Sequence, residues 1–211
     1  MKRFTTSKIL LLASLLIAPM LASADVVAGK ALYSSCVACH GANAEGNPAM
    51  NAPALNGQFP EYLARQLNHF KDGIRGADAK DSLGMQMRAM TAVLADKQAI
   101  TDVSEYIASL PVTAVATKIE GDVRNGNNLY QGNCGSCHGG KGEGNQALNS
   151  PRLAGLDEAY LIRQINNFKQ GIRGTHQMDR FGRQMKLMAN TVRSDKDLLD
   201  MAAYLHALPV Q

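Results

Sequence analysis

The chain has 211 residues, four cysteines, no tryptophan and a formal net charge of +4 at pH 7. Three of the positive charges, Lys2, Arg3 and Lys8, lie in an N-terminal segment with the features of a removable leader, and without them the net charge is +1. Such a nearly neutral chain gives no support for nucleic-acid binding, which requires a concentrated basic surface. The remaining length of about 187 residues allows one large domain or two small ones.

Residues 1–24 have the pattern of a secretory signal peptide. The basic start is followed by an apolar run from Ile9 to Ile17 and by Ala22-Ser23-Ala24, a small-residue cleavage site. We therefore expect the mature chain to begin near Asp25. The apolar stretch is short for a membrane span and is interrupted by Pro19, so an uncleaved anchor is the less favoured alternative.

One pentapeptide pattern, two cysteines three positions apart with a histidine directly after the second, occurs twice. It lies at residues 36–40 (CVACH) and at residues 134–138 (CGSCH). This is the pattern by which a chain attaches haem c, because the two thiols add across the porphyrin vinyl groups and the histidine binds the iron. In families with this motif the attachment takes place outside the bacterial inner membrane, so we expect a periplasmic protein. The predicted thioether residues are Cys36, Cys39, Cys134 and Cys137, and the predicted iron ligands from the motifs are His40 and His138.

Other interpretations of the four cysteines explain less. A thioredoxin-like redox pair would need a βαβ context, and no strand-rich run flanks either motif. A single zinc site would have to join pairs 98 residues apart, and zinc does not require the histidine. Two structural disulfides suit an exported protein but leave the repeated histidine unexplained.

The haem motif belongs to a longer internal repeat. Residues 36–111 align with residues 134–209 at a fixed offset of 98 without a gap, which indicates duplication of one haem-binding unit. We predict an N-terminal domain at 25–111, a linker at 112–120 and a C-terminal domain at 121–211. Because the linker is short, we expect the domains to pack against each other. Matched pairs include Pro53 with Pro151, Arg65-Gln66 with Arg163-Gln164, Phe70 with Phe168, Arg75 with Arg173, and Tyr106 with Tyr204.

Each unit is predicted to contain three helices joined by loops. No alternating pattern predicts a strand, so the fold class is all-α. A unit of about 85 residues with few aromatics has a modest core of its own, and we expect the haem-free chain to be poorly folded. The first helix is predicted from Val26 to Tyr33 after the cap Asp25, with a shorter counterpart from Asn125 to Tyr130. The second begins at Pro60 and after Asp157 and ends near Gly73 and Gly171, and the third follows Asp96 and Ser194 and ends before Pro111 and Pro209.

The sixth position of each iron, opposite the motif histidine, either binds a protein group or stays open. A filled position defines an electron carrier, whereas an open one allows small-molecule chemistry. Histidine is a weak candidate here, because His69, His176 and His206 each occur in only one unit. We interpret these three as surface or packing residues.

Methionine is the duplicated candidate, in two pairs: Met87 with Met185, and Met90 with Met188. Both pairs lie in a segment predicted to be a loop before the third helix. We predict Met87 and Met185 as the ligands, because a loop residue can reach across the haem. Met90 and Met188 lie closer to the third helix; they are the alternative ligands, and otherwise flexible core fillers.

These residues resemble the dihaem cytochromes of the cytochrome c4 type, which consist of two class I cytochrome c domains in tandem. The resemblance covers essentially the whole mature chain. Each domain of that family combines the haem motif with a Pro-x-Leu-x-Gly loop, a Tyr-Leu-x-x-Gln-Leu helix, a methionine-containing loop and a last helix with Tyr-Ile or Tyr-Leu. The matching residues are Pro53 to Gly57, Tyr62 to Leu67, the Met87 region and Glu105 to Ile107, repeated as Pro151 to Gly155, Tyr160 to Ile165, the Met185 region and Ala203 to Leu205.

The resemblance has consequences for the haem surroundings. It implies that the carbonyls of Pro53 and Pro151 accept the Nδ1 proton of the motif histidines, which orients the imidazole. It also implies that the two haems face each other across the domain interface. Arg75 and Arg173 are candidates to pair with haem propionates, and a solvated surface position is the alternative for both.

As a function, we expect a non-enzymatic electron carrier of the periplasm. It would carry electrons from quinol-oxidising or dehydrogenase complexes to a terminal acceptor such as an oxidase. The first alternative is a permanent electron-accepting subunit of a periplasmic dehydrogenase, as in flavocytochrome sulfide dehydrogenases. A haem peroxidase or a small-ligand sensor is less favoured, because it needs an open or histidine-blocked iron.

Overall fold

A computed structural model describes residues 23–113 and 120–210 of the chain. Nearly all of the predicted signal peptide and residues 114–119 of the predicted linker lie outside these ranges. The described residues form α-helices and short 3-10 turns without a β-strand, which confirms the all-α class. The helices are α1 (Val26–Tyr33), α2 (Val37–His40), α3 (Pro60–Lys71), α4 (Ser82–Met90), α5 (Lys97–Ala108), α6 (Val123–Asn133), α7 (Gly135–His138), α8 (Glu158–Lys169), α9 (Arg180–Ala189) and α10 (Asp195–Ala207).

The helix starts lie where the sequence predicts caps. Asp25 accepts hydrogen bonds from the amides of Val27 and Ala28 at the start of α1. Asp96 and Ser194 cap α5 and α10 in the same way, since a short polar side chain satisfies amides that have no partner within the helix. The predicted second and third helices are confirmed in both halves.

Two expectations about helices are wrong. The counterpart of α1 is longer rather than shorter, because Asp122 caps it and α6 then continues to Asn133, directly before the haem motif. The methionine segments are helices rather than loops. Asp81 and Asp179 accept a hydrogen bond from a backbone amide two residues into α4 and α9, which gives these segments a helical start.

The first and last helices of each half cross at very close range, which is possible because a glycine lies at each crossing. A Cβ atom on Gly29 would lie 2.1 Å from the carbonyl oxygen of Asp102, and one on Gly126 would lie 2.0 Å from that of Asp200. Tyr33 and Tyr130, one turn further along, are almost fully buried in the two cores. Each half thus has the same frame around its haem motif.

The halves, residues 25–111 and 121–210, pack against each other as expected. Buried Gln58 donates from Nε2 to the carbonyl of Arg152 (2.7 Å) and accepts from the Arg152 amide (3.2 Å). Two further contacts are reciprocal: Arg65 donates to the carbonyl of Asn149, and Arg163 donates to that of Asn51, both at 2.9 Å. Since Asn149 and Arg163 are the repeat counterparts of Asn51 and Arg65, the interface has approximate two-fold symmetry.

Candidate haem sites

The cysteine motifs form single helical turns. Cys36 precedes α2 and Cys134 precedes α7, and the carbonyl of each accepts the backbone amide of the motif histidine, at 2.9 and 3.0 Å. All four cysteines are partly exposed, and none of them forms a disulfide. Within the described ranges they do not gather with other acidic or histidine side chains into a metal-binding cluster, as the zinc alternative requires. The turn therefore presents both thiols and the histidine on one short segment.

The two motif histidines are buried and have the same orientation. His40 Nδ1 lies 2.9 Å from the carbonyl oxygen of Pro53, and His138 Nδ1 lies 2.8 Å from that of Pro151. A carbonyl only accepts hydrogen bonds, so Nδ1 carries the proton and the Nε2 lone pair is free for iron. Burial lowers the pKa of both histidines, which favours the neutral, ligating form. The carbonyl contact implied by the family resemblance is confirmed.

A buried tyrosine holds the turn that follows each motif. The hydroxyl of Tyr33 donates to the carbonyl of Gly41 at 2.7 Å, and that of Tyr130 donates to Gly139 at 2.6 Å. Both glycines have φ near +80°, a conformation that side chains rarely adopt. The chain thus reverses directly after the histidine, and the tyrosine hydrogen bond holds this turn in place.

The methionine candidates lie on α4 and α9 and differ in exposure. Met87 and Met185 are partly buried, whereas Met90 and Met188 are 42% and 38% exposed. The assignment of these ligands stays a prediction.

Arg75 and Arg173 lie at the boundary between the halves, so the alternative of a solvated surface position is wrong for both. They are 9% and 8% exposed, and each guanidinium lies 4.5 Å from a phenylalanine ring centre. Each donates from Nη1 to a glutamine of its own half, Gln66 or Gln164, and from Nη2 to the glutamine of the other half, at distances of 2.7 to 3.1 Å. The four side chains form one closed network across the interface.

The arginines at the interface have unused donors that suit haem carboxylates. The Nε groups of four arginines are buried without a hydrogen-bond partner: Arg65, Arg75, Arg163 and Arg173. Buried cationic donors are normally paired, so their arrangement indicates anionic groups that the polypeptide itself does not supply. Haem propionates have this chemistry, and the residues present therefore fit the cofactor.

Several site residues are absent from the sequence predictions. Gln66 and Gln164 complete the arginine network, and the repeated Arg-Gln dipeptide is the sequence signal that could have identified them. Asp179 caps α9 and also lies 3.8 Å from Nδ1 of His69 in the other half. The non-repeated His206 is buried with Nδ1 3.1 Å from the carbonyl of Leu156, in agreement with a packing role.

Comparisons with known proteins define the class. The family model for cytochrome c matches residues 26–111 and 123–209, one match for each half. The chain therefore belongs to the cytochrome c family, and within it to the dihaem cytochrome c4 type. It is 31% identical to cytochrome c4 of Pseudomonas aeruginosa over 89% of this chain and 90% of that protein. It also matches the crystal structure of reduced recombinant cytochrome c4 from Pseudomonas stutzeri, with a TM-score of 0.73, 28% identity and coverage of 89% of this chain and 100% of that one.

A third relative bears on partners. The thiosulfate dehydrogenase electron acceptor of Thiomonas intermedia is 35% identical over 66% of this chain and 65% of its own length. The family membership and the two motifs mean that the chain carries two covalently bound haem c groups and is an electron carrier of the cytochrome c4 kind. None of the helices in the described part of the chain has the length and apolar character of a membrane span.

Proposed function

We propose that the protein is exported to the periplasm, loses residues 1–24, and passes single electrons from dehydrogenase or quinol-oxidising complexes to a terminal acceptor such as an oxidase. The observation that carries this proposal is the duplicated site: a buried, oriented histidine follows two thiols in each half, and the halves share one interface. The haems, when bound, supply reversible one-electron chemistry at iron. The protein residues position, shelter and tune them.

The proposed ligand sets are His40 with Met87 and His138 with Met185. A thioether is a soft and weak donor, so it stabilises ferrous relative to ferric iron. Burial also favours the ferrous state, because the ferric haem has an extra positive charge that is costly to remove from water. With a histidine and a methionine holding each iron, neither site would have room for a substrate. Such sites exchange electrons with little rearrangement.

The arginine network supports electron exchange between the two sites. We assign Arg75 and Arg173 to the haem propionates, where their unpaired Nε donors and positive charge would compensate the carboxylates. Gln66 and Gln164 fix the two guanidinium groups relative to each other across the interface. Both haems would then be held from one shared polar cluster, which favours a fixed distance between them.

The partners are proposed by analogy with relatives. The similarity to an electron acceptor of thiosulfate dehydrogenase supports a periplasmic dehydrogenase as donor. A mobile carrier would dock through a small, transient interface. The alternative, a permanent dehydrogenase subunit, predicts instead that the protein purifies from its native source as part of a larger complex.

The test uses reduced mature protein and membranes from its native source. We expect the membranes to oxidise the protein with oxygen as final acceptor, and the purified protein to elute at its own size. A stable large complex would favour the subunit alternative. If membranes fail to oxidise the protein while hydrogen peroxide reacts with it rapidly, the electron-carrier proposal is wrong.

A further inference from the structure

A buried carboxylate on the last helix of each half holds the start of the first helix. The backbone amide of Asp25 donates to Oδ1 of Asp102 at 2.9 Å, and the amide of Asp122 donates to Oδ1 of Asp200 at 2.9 Å. Asp102 is 6% exposed and Asp200 is 1% exposed. The two arrangements are equivalent in the repeat, because the glycine crossings next to them have the same geometry.

The charge balance of the two carboxylates differs. In the C-terminal half, Oδ2 of Asp200 accepts from Nζ of Lys196 at 2.6 Å and from the side-chain amide of Asn125 at 2.7 Å. These hydrogen bonds, with that from the Asp122 amide, lower the pKa of Asp200 to about 2. This buried carboxylate is therefore paired with a cation.

In the N-terminal half the position of Lys196 is occupied by Gln98. Its amide donates to Oδ1 of Asp102 at 2.8 Å and to the carbonyl of Ser23 at 3.2 Å. Among the described residues no lysine, arginine or histidine pairs with Asp102. The buried Asp102 thus lacks the charge compensation that Lys196 gives to Asp200, so a cation next to Asp102 would stabilise this half.

We propose that removal of the leader between Ala24 and Asp25 supplies this cation. A signal peptidase adds water across the peptide bond: Ala24 leaves with the new carboxylate, and the Asp25 nitrogen becomes a primary amine that is protonated at neutral pH. That nitrogen already lies 2.9 Å from Asp102 Oδ1. Cleavage thus converts a neutral hydrogen bond into a charge-assisted one without moving the chain.

The same reasoning explains why the C-terminal half has a lysine. Asp122 follows Gly121 within the chain, so its nitrogen remains an amide and never carries a charge. Lys196 on α10 provides the cation there from a side chain. Each half thus pairs its buried aspartate with one cation, from the new N-terminus in one case and from a lysine in the other.

The ammonium at Asp25 also lies at the start of α1, where the helix dipole disfavours positive charge. Two carboxylates offset this effect, Asp102 and the side chain of Asp25 itself, which caps α1. The inference rests on the export part of the proposed function. It predicts that α1 is held more firmly in the mature protein than in any form with residues before Asp25.

The test compares two forms of the haem-loaded protein isolated from the periplasm. One has the natural leader, and the other has Gly-Ser inserted between Ala24 and Asp25, which moves the amine two residues away. Intact mass identifies the N-terminus of each, and hydrogen–deuterium exchange of peptides covering α1 and α6 measures local opening. We expect the natural form to begin at Asp25 and the extended form to exchange roughly five- to tenfold faster in α1, with α6 as an unchanged internal control.

Gln98→Lys is the matched rescue, because it gives the N-terminal half the residue found at position 196. It should restore slow exchange of α1 in the extended form and have little effect in the natural form. Equal exchange of α1 in the extended and natural forms overturns the pairing, and so does an equal effect of Gln98→Lys on both. A mature N-terminus other than Asp25 overturns the assigned cleavage. If the exchange results are as expected but the protein does not transfer electrons to membranes, only the proposed function is contradicted.

Discussion

The two halves of the molecule have the same haem-site frame but different charge and different supporting contacts. Residues 25–111 contain seven lysines and arginines against nine acidic residues, whereas residues 121–211 contain eleven against eight. The histidine–carbonyl contacts, the tyrosine contacts and the buried arginines are the same in both halves. The differences lie at helix ends and at the interface. The geometry of the site is therefore common to both repeats, whereas the contacts that stabilise each half differ.

The largest expected effect follows from preventing haem attachment in one half. Replacing Cys36 and Cys39 by alanine should remove the proposed thioethers of the N-terminal haem, so the core that we expect to close on this haem should no longer fold cooperatively. We expect the helical circular dichroism signal to fall by roughly a half, since α1 to α5 contain about half of the helical residues.

The matched variant replaces Cys134 and Cys137 and should affect the C-terminal half in the same way. Peptide-resolved hydrogen exchange assigns the loss to one half or the other. A haem-free half that keeps a cooperative, native-like thermal transition would contradict the view that the haem completes each core.

Removal of the proposed sulfur ligands should alter one haem at a time. Met87→Ala and Met185→Ala are each expected to remove part of the weak far-red absorption of ferric methionine-ligated haem. The potential of that haem should fall by roughly 0.1 V or more, because the ferrous state loses its soft ligand. Redox titration with optical detection measures both changes.

Met90→Ala and Met188→Ala are the controls, one turn further along each helix. They should leave the absorption and both potentials close to those of the unchanged protein. If these variants rather than the first pair lose the far-red band, the ligand assignment moves to the alternative methionines.

The buried contact of Gln58 with Arg152 should stabilise the interface between the two halves. Gln58→Leu installs the residue that the repeat has at Leu156 and leaves the buried amide and carbonyl of Arg152 without partners. We expect a loss of about 1–3 kcal/mol in the free energy of unfolding, measured by urea titration.

Gln146 offers a control, because it also crosses the interface through its hydrogen bond to Glu61 but is exposed. Gln146→Ala should change stability by less than about 0.5 kcal/mol. Equal effects of the two glutamine substitutions would show that burial of the Gln58 contact is unimportant.

The smallest effect concerns acid stability in the C-terminal half. Hydrogen bonds lower the pKa of Asp200 from its ordinary value of 3.8 to about 2. Its contribution to stability is therefore complete above pH 3.8 and is lost as the pH falls towards 2. Asp200→Asn should flatten this part of the pH dependence of the thermal midpoint, and an unchanged slope would contradict the ionised pair with Lys196.

The sequence predicted those parts of the fold that depend on local chemistry. The caps Asp25, Asp96 and Ser194 and the proline at the start of α3 place helix ends almost to the residue, because capping involves only neighbouring amides. The haem motifs could also be predicted from the sequence, since the spacing of the thiols and the imidazole is fixed within one turn. The helical character of the methionine segments was missed, although Asp81 and Asp179 are the caps that signal it.

Contacts between distant segments do not follow from local sequence patterns. The duplicated Arg75 and Arg173 suggested a site, but only the folded chain brings them to the glutamines of both halves. The proposed pairing of Asp102 with the Asp25 nitrogen is also a long-range contact, because the two residues are 77 positions apart in the sequence. Pairing across such distances depends on how the helices pack, which local patterns do not specify.

Carbon monoxide binding to the reduced protein tests the proposed filled axial positions most directly. Reduced haem with an open position binds this ligand rapidly, whereas iron held by histidine and methionine does not. We expect no rapid change in the absorption of either haem in the unchanged protein, and rapid binding at one haem in Met87→Ala and in Met185→Ala. Rapid binding to the unchanged protein at either haem would contradict an electron carrier with both irons closed.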